Sequence, residues 1–563
     1  MTLLACVVSI LLAAASKAPH ARPVAAGPAS GGPDPSSYAS EDALAHYAQG
    51  RLAQERGEDE TAISEYFRVL AIDPRSYSAT RSVSELAARQ GEAARSLEFA
   101  NRALTLDPAD ARALWLKGSA QFNLGRGSEA IETLEAATRA DSDEVQYWLT
   151  LAHVAENLDR IPIVERAYSQ AVRLDEDDAE AWFQLAAAAA RLADYTLADS
   201  ALTRAAQLNP MRPGQVFLKG WIRESTGHPD EAITLYRRHL ELHPDDQVTR
   251  GRLVDLLTRQ KRYAEGYTEA QRLSRARPGD PDALEAEADL AYKLNRPREG
   301  GAALDRMRRI APDDPALVAR SMAVLGHNGR GAEAVTAAEA WARAHPGNFR
   351  GELLVAQAMA GDNRIDAAIE HAQRAVATAP DSLGPRVMLG RIYQGEKRFA
   401  EAEKVWVEAL ARFPKMTGLG LDLAYCREQQ GNVDGAEAAV RDVLKSDPES
   451  AAALNFLGYL LADHNRKLAE AESLIRRAVE QEPDNGAYLD SMGWVYYRMG
   501  RLQEARSHLE RAAELTHDPV VYEHLGDVYK DLKLFDLARD QYTRALERDS
   551  SNARVRAKLA QIR

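Results

Sequence analysis

Ten prolines of this 563-residue chain lie on one arithmetic progression with a step of 34: Pro74, Pro108, Pro210, Pro244, Pro278, Pro312, Pro346, Pro380, Pro414 and Pro448, with only positions 142 and 176 vacant. Proline accounts for 24 residues in all, so chance does not fill ten of twelve equally spaced slots. A fixed period in this range marks stacked supersecondary repeats, each of which buries its apolar face only against its neighbours. Such a chain lengthens by adding repeats, so the several separate domains its length would otherwise suggest do not apply.

Numbering each repeat so that the periodic proline falls at position 32 gives fifteen repeats, starting at residues 43, 77, 111, 145, 179, 213, 247, 281, 315, 349, 383, 417, 451, 486 and 519, with one residue inserted in repeat 13 and one lost after repeat 14. Position 8 is small in most repeats (Gly50, Gly118, Ala152, Gly390, Gly458, Gly493, Gly526) and position 20 in nearly all (Ala62, Ala130, Ala402, Ala471, Ala505, Ala538). Small residues let two helices approach closely, so these columns mark where helix A crosses helix B. Position 15 is glycine in seven repeats, including Gly57, Gly125, Gly329 and Gly500, as suits a left-handed residue past a helix end. Position 34 carries Ser76, Asp110, Asp246, Asn348 and Ser450, which can accept the free N–H groups of the next helix A. Proline at 32 is expected to end helix B. Larger apolar residues at positions 4, 7, 24 and 28, among them Leu114, Trp148, Leu185, Trp406 and Leu410, supply the interhelix packing.

These columns resemble those of the tetratricopeptide repeat (TPR) family. Repeat 11 shows them as Leu389-Gly390, Tyr393, Ala402, Trp406, Ala409 and Pro414; repeats 14 and 15 show Met492-Gly493, Tyr496, Ala505, Ala512 and Leu525-Gly526, Tyr529, Ala538, Tyr542, Ala545. The resemblance implies an all-α TPR solenoid, a right-handed superhelix over 43–552, with 553–563 as a polar capping helix. Some repeats depart from the pattern. Ser142 and Glu176 replace the proline, and position 27 carries His239, Leu273, Met307 and Trp341 in repeats 6 to 9. Gly384-Pro385, Gly418 and Gly420 weaken two helix starts, which makes 380–420 a candidate joint.

In TPR proteins helix A lines a groove that binds peptides or helices, and positions 2, 5, 9, 12 and 13 face inward. Here those columns hold Tyr47, Trp115, Phe122, Phe183, Phe217, Trp221, Tyr292, Tyr425, Tyr459, Trp494 and Tyr497. Aromatics are only 7% of the chain, and exposed aromatic anchors mark partner sites. The densest cluster is Asn455, Tyr459, Asp490, Trp494 and Tyr497, in text that resembles exported or lipid-anchored TPR adaptors of Gram-negative envelopes. An acidic stretch, 143–180, lies near a basic one, 247–280. Together they can steer a partner or can be solvated helix faces of mixed charge.

The net charge of −13 argues against general nucleic-acid binding, which relies on neutralising phosphates. Cys6 and Cys426 form no disulfide framework. Leu3–Ala15 reads as a signal-peptide core, although no Lys or Arg precedes it, and Leu3-Leu4-Ala5-Cys6 faintly resembles a lipobox. Residues 16–42 then read as a Pro/Gly/Ser/Ala linker. His239 and His243 have metal-ligand spacing but lack a third ligand and a suitably placed base. The sequence carries no phosphate-binding loop, dinucleotide fingerprint or nucleophile elbow. The sequence reads as a non-enzymatic scaffold for protein or peptide partners, without metal or cofactor, exported to the periplasm or outer membrane. A regulatory or substrate-recruiting subunit of a separate enzyme, and a cytoplasmic assembly hub, stand as alternatives.

Overall fold

A computed structural model describes residues 40–562. The apolar segment 1–15 with Cys6, and the linker up to residue 39, lie outside the described residues. Within them the chain forms 31 α-helices and no strand. Thirty pair into the fifteen expected repeats, and Ala553–Ala560 follows as the short closing helix. The first helix begins at Glu41, two residues ahead of the repeat boundary, because Ser40 accepts the Ala43 N–H and caps it.

The turn between helices A and B is identical in kind throughout. Position 15 has positive φ in all fifteen repeats, whether it is glycine (Gly57, Gly91, Gly125, Gly227, Gly329, Gly431, Gly500) or another residue (Asp159, Ala193, Lys261, Asn295, Asn363, Lys397, Asn465, Lys533). The repeat geometry therefore imposes the left-handed residue and tolerates side chains there. The residue inserted in repeat 13 lies in this turn, where Lys467 adds a second positive φ.

Proline at 32 is not required to stop helix B. The helices Gly127–Ala140 and Ile161–Leu174, which lack it, end at the same position 30 as Ala93–Leu106, which has it. An aspartate at position 31 folds back in both settings: Asp107, Asp141 and Asp175 each accept the N–H two residues on. Such a local bond competes with the helix ladder and closes the turn without proline. Not every helix A carries a side-chain cap at position 34. Asp110, Asp246 and Asn348 accept first-turn N–H groups. Ser76 and Ser450 make no side-chain cap bond, although Ser76 and Asp110 share almost the same backbone angles.

Within a repeat, position 8 meets two groups at once. A Cβ added at Gly493 would lie 2.5 Å from Leu509 at position 24 and 3.1 Å from the Ala505 carbonyl at position 20. At Gly390 it would lie 2.3 Å from the Trp406 ring. The two small columns are thus the A–B crossing, and the side chain at 24 lies over it. In repeat 9, the indole N–H of Trp341, at the altered position 27, donates to the Pro312 carbonyl, and Gly351 of the next helix A lets the backbone of Ala342 approach closely.

The chain divides into two compact bodies, Met1–Leu290 and Ala291–Arg563. In each, helix A packs on helix B of its own repeat and on helix B of the one before. In both bodies helices A also reach one another: Ala111–Asn123 touches Val145–Asn157 in the first, and Gly486–Arg498 touches Ala451–Asp463 and Pro519–Asp531 in the second. Successive B helices do not pack comparably. The A row is therefore the inner wall of each body.

Candidate partner-binding surface

The inward columns divide into covered and open side chains. Phe183 and Phe217 are buried at 0% and 1% exposure, and Tyr47, Tyr292, Asp490 and Trp494 are also buried. The expectation that all these columns are solvated is corrected at those positions. Winding and neighbouring side chains cover them: the Arg212 guanidinium lies 3.1 Å from the centre of the Phe183 ring while pairing with Glu180, and Phe217 packs on Tyr236 and His239. Open or half-open positions are Trp115, Phe122 and Trp221 in the first body, and Tyr425, Asn455, Tyr459 and Tyr497 in the second.

In the first body the Trp115 indole N–H donates to Thr150 Oγ1 at 2.8 Å, which fixes the ring edge of one repeat on the next. Phe122 meets His153 edge-on at 5.8 Å, and burial lowers the pKa of that imidazole. Trp221 lies under Arg252 at 5.7 Å. The result is an aromatic wall with locked rings.

The second body is built around a stack. Trp494 lies parallel to His524 at 4.0 Å on one face and to Tyr497 at 5.0 Å on the other, with Tyr459 tilted toward His524 at 6.4 Å. Its indole N–H donates to Asp463 at 3.1 Å. His524 is paired with Asp490, Nδ1 to Oδ1 2.9 Å, and both are buried. Burial disfavours the charged imidazole, but Asp490, with Asp527 and Glu523 nearby, outweighs it and raises the pKa. The closing helix supplies Lys558, which donates to Glu523 and Asp527, and Arg554, which pairs with Glu523. Asn455 keeps its Oδ1 shut from water with no hydrogen-bond partner.

His524 does not stand out in the sequence because position 6 holds residues of every kind, among them Leu116, Thr150, Gln184, Arg252, Asp422 and Phe456. The available signal was spacing: His524 and Asp490 are 34 residues apart, as are Tyr497 and Asp531, which share a 2.9 Å hydrogen bond. Complementary side chains one period apart face each other across adjacent repeats.

The charged stretches are largely consumed within the fold. Arg250 pairs with Glu269, Arg252 and Arg259 with Glu224, Arg262 with Asp230 and Glu265, and Arg272 with Glu269. In the acidic stretch Asp178 caps a helix, Asp177 pairs with Arg204 and Glu180 with Arg212. His239 Nε2–H donates a 2.9 Å bond to Asp246 Oδ2, and its ring packs on His243. Cys426 is buried, and burial raises its thiol pKa. Among the described residues no group of three or more His, Cys, Asp or Glu is placed to hold a metal ion, and no helix is long and apolar enough to cross a membrane.

These features define a solenoid of paired helices with an aromatic inner wall. The tetratricopeptide repeat family matches residues 47–111, 188–247, 387–441, 421–486 and 491–553 with one form of its repeat, and 87–154 and 225–290 with another. The chain belongs to that family. The TPR repeat-containing protein PA4667 of Pseudomonas aeruginosa is 30% identical over 199 residues, which span 34% of this chain and 33% of that protein. The match thus covers about a third of the length of this relative. Similar solved chains include one in the structure of Naa15/Naa10 bound to HypK-THB, at 14% identity and a TM-score of 0.43 over 92% of this chain and 96% of that one. Another is YrrB, described as a TPR protein with an unusual peptide-binding site, at 21% identity and a TM-score of 0.31 over 33% of this chain and 95% of that one.

Proposed function

We propose that this protein is a non-catalytic adaptor that holds protein or peptide partners along the A-row walls of its two bodies. The observation that carries this reading is the run of open aromatics there. Trp115, Phe122 and Trp221 lie on one wall and Tyr425, Tyr459 and Tyr497 on the other, whereas Tyr66, Tyr236 and Trp406 of the packing columns are fully buried. Rings locked by neighbouring repeats lose little freedom when a partner docks, so less binding energy is spent on ordering the receptor. Crosslinked capture from the native source tests this: Trp221→Ala and Tyr497→Ala weaken recovery of the partner while helicity is unchanged. Recovery equal to the parent protein sinks the reading.

The location that fits this role is exported, periplasmic or outer-membrane-associated. Support comes from the thirteen uncharged residues Leu3–Ala15 and the proline-rich segment behind them. Fusion of residues 1–40 to an export reporter gives signal outside the cytoplasm. A reporter retained inside removes this part of the proposal.

A further inference from the structure

The wall of the second body carries an aromatic residue and a carboxylate about one helical turn apart on successive A helices. Tyr425 is followed by Glu428 in Thr417–Gln429, and Tyr459 by Asp463 in Ala451–Asp463. Tyr425 is 40% exposed, and the other three are half-buried. The two carboxylates are electrostatic neighbours: Asp463 and burial together raise the pKa of Glu428. Tyr459 lies within the influence of Asp463, Asp490 and Glu428, and of the Arg554 guanidinium, which pairs with Glu523. Asp463 accepts the Trp494 indole N–H. Neither carboxylate is ion-paired, in contrast to the acids around them. His524 holds Asp490, Lys558 holds Glu523 and Asp527, and Arg427 holds Glu403. Arg391 is the cation that acts on Asp422, and Arg498 lies over Trp494.

Two half-buried carboxylates without a cation, set beside tyrosine faces, are electrostatically incomplete. Burial disfavours the charge on Glu428, and a positive group placed beside it offsets that cost. An arginine or lysine side chain completes both features at once, with its charge on the carboxylates and its stem or guanidinium plane on a tyrosine ring. The row from Tyr425 through Tyr459 to Tyr497 crosses three A helices, and at about 10 Å per step it spans roughly 20 Å, the reach of about six extended residues.

We propose that the Glu428–Asp463 notch is a binding site for the basic side chains of an extended protein segment, with Tyr425 and Tyr459 as its walls. This rests on the adaptor reading and adds the chemistry of the partner.

The test is fluorescence anisotropy with labelled decapeptides that alternate Arg, Glu or Gln with Ser, on the full chain. The Arg peptide binds, the Glu and Gln peptides do not, and added salt weakens the binding. The Glu428→Gln/Asp463→Asn pair weakens it at least tenfold. A control pair on exposed carboxylates of B helices, Glu480→Gln/Glu547→Gln, leaves it within twofold, and circular dichroism shows all variants folded. Equal binding of the Arg and Gln peptides, or an equal loss in the control pair, overturns the proposal. Capture of the native partner separates the two readings. A loss with Tyr425→Ala but not with the notch pair retains the adaptor and overturns the basic-segment site. No loss with either overturns the basic-segment site, while the adaptor reading stands or falls on the Trp221 and Tyr497 variants.

Discussion

Gly390 shows how a single side chain sets the repeat. A methyl group there would lie 2.3 Å from Trp406, which is fully buried and has no free space to move into. Gly390→Ala therefore overpacks the crossing and lowers stability by about 1–3 kcal/mol, measured by urea unfolding of the chain. Ala193 is the converse case. It holds φ +62 where seven other repeats use glycine. A non-glycine residue in that conformation costs about 1–2 kcal/mol, and glycine returns about 0.4–1 kcal/mol of that through the unfolded chain. Ala193→Gly is expected to stabilise by about 0.5–1 kcal/mol. Destabilisation would show that Ala193 is held by contacts other than its backbone turn. Both columns were legible in the sequence because size and backbone freedom recur with the period. The burial of Phe183 was not legible, since it depends on Arg212, whose reach across the ring no column pattern encodes.

At the scale of the helix, Pro519–Asp531 depends on a titratable pair. His524 is paired with Asp490 and stacked on Trp494. Because its folded pKa is raised, the pair contributes fully to stability below about pH 6.5, the ordinary value. That contribution is lost as pH rises through the higher folded value. Thermal melts of the parent chain and of His524→Phe, taken from pH 5.5 to 9, should converge with rising pH. A constant difference would show that the imidazole contributes by packing alone. The helices Leu383–Gly395 and Thr417–Gln429 are continuous, yet Gly384 and Gly418 contact nothing where a side chain would extend. Weak helix formers at a first turn lower the free energy of local opening. Hydrogen exchange over 380–420 should be faster than over the flanking repeats, and uniform protection would contradict this. Helix boundaries were legible from turn residues. The reason helix B ends was not, because an aspartate turn at position 31 and proline at 32 give the same stop, and the repeats lacking proline separate them.

For the whole molecule, the period specified fifteen stacked repeats, because each repeat needs its neighbours to bury its apolar face, and the inner row followed from the resemblance to tetratricopeptide repeats. What the period leaves unspecified is which inner residues face a partner. That depends on how far adjacent repeats cover one another, and on pairs such as Asp490 and His524 that join across a full repeat. The scaffold account holds that partners lie on the A row. The most direct measurement places a benzophenone photocrosslinker at Trp221 or Tyr425 on the A rows, and at Leu242 or Val407, which are exposed on B helices at 60% and 45%. The account predicts partner adducts from the A-row positions and none above background from the B-row positions. Adducts from the B row alone, or equally from both, would contradict it.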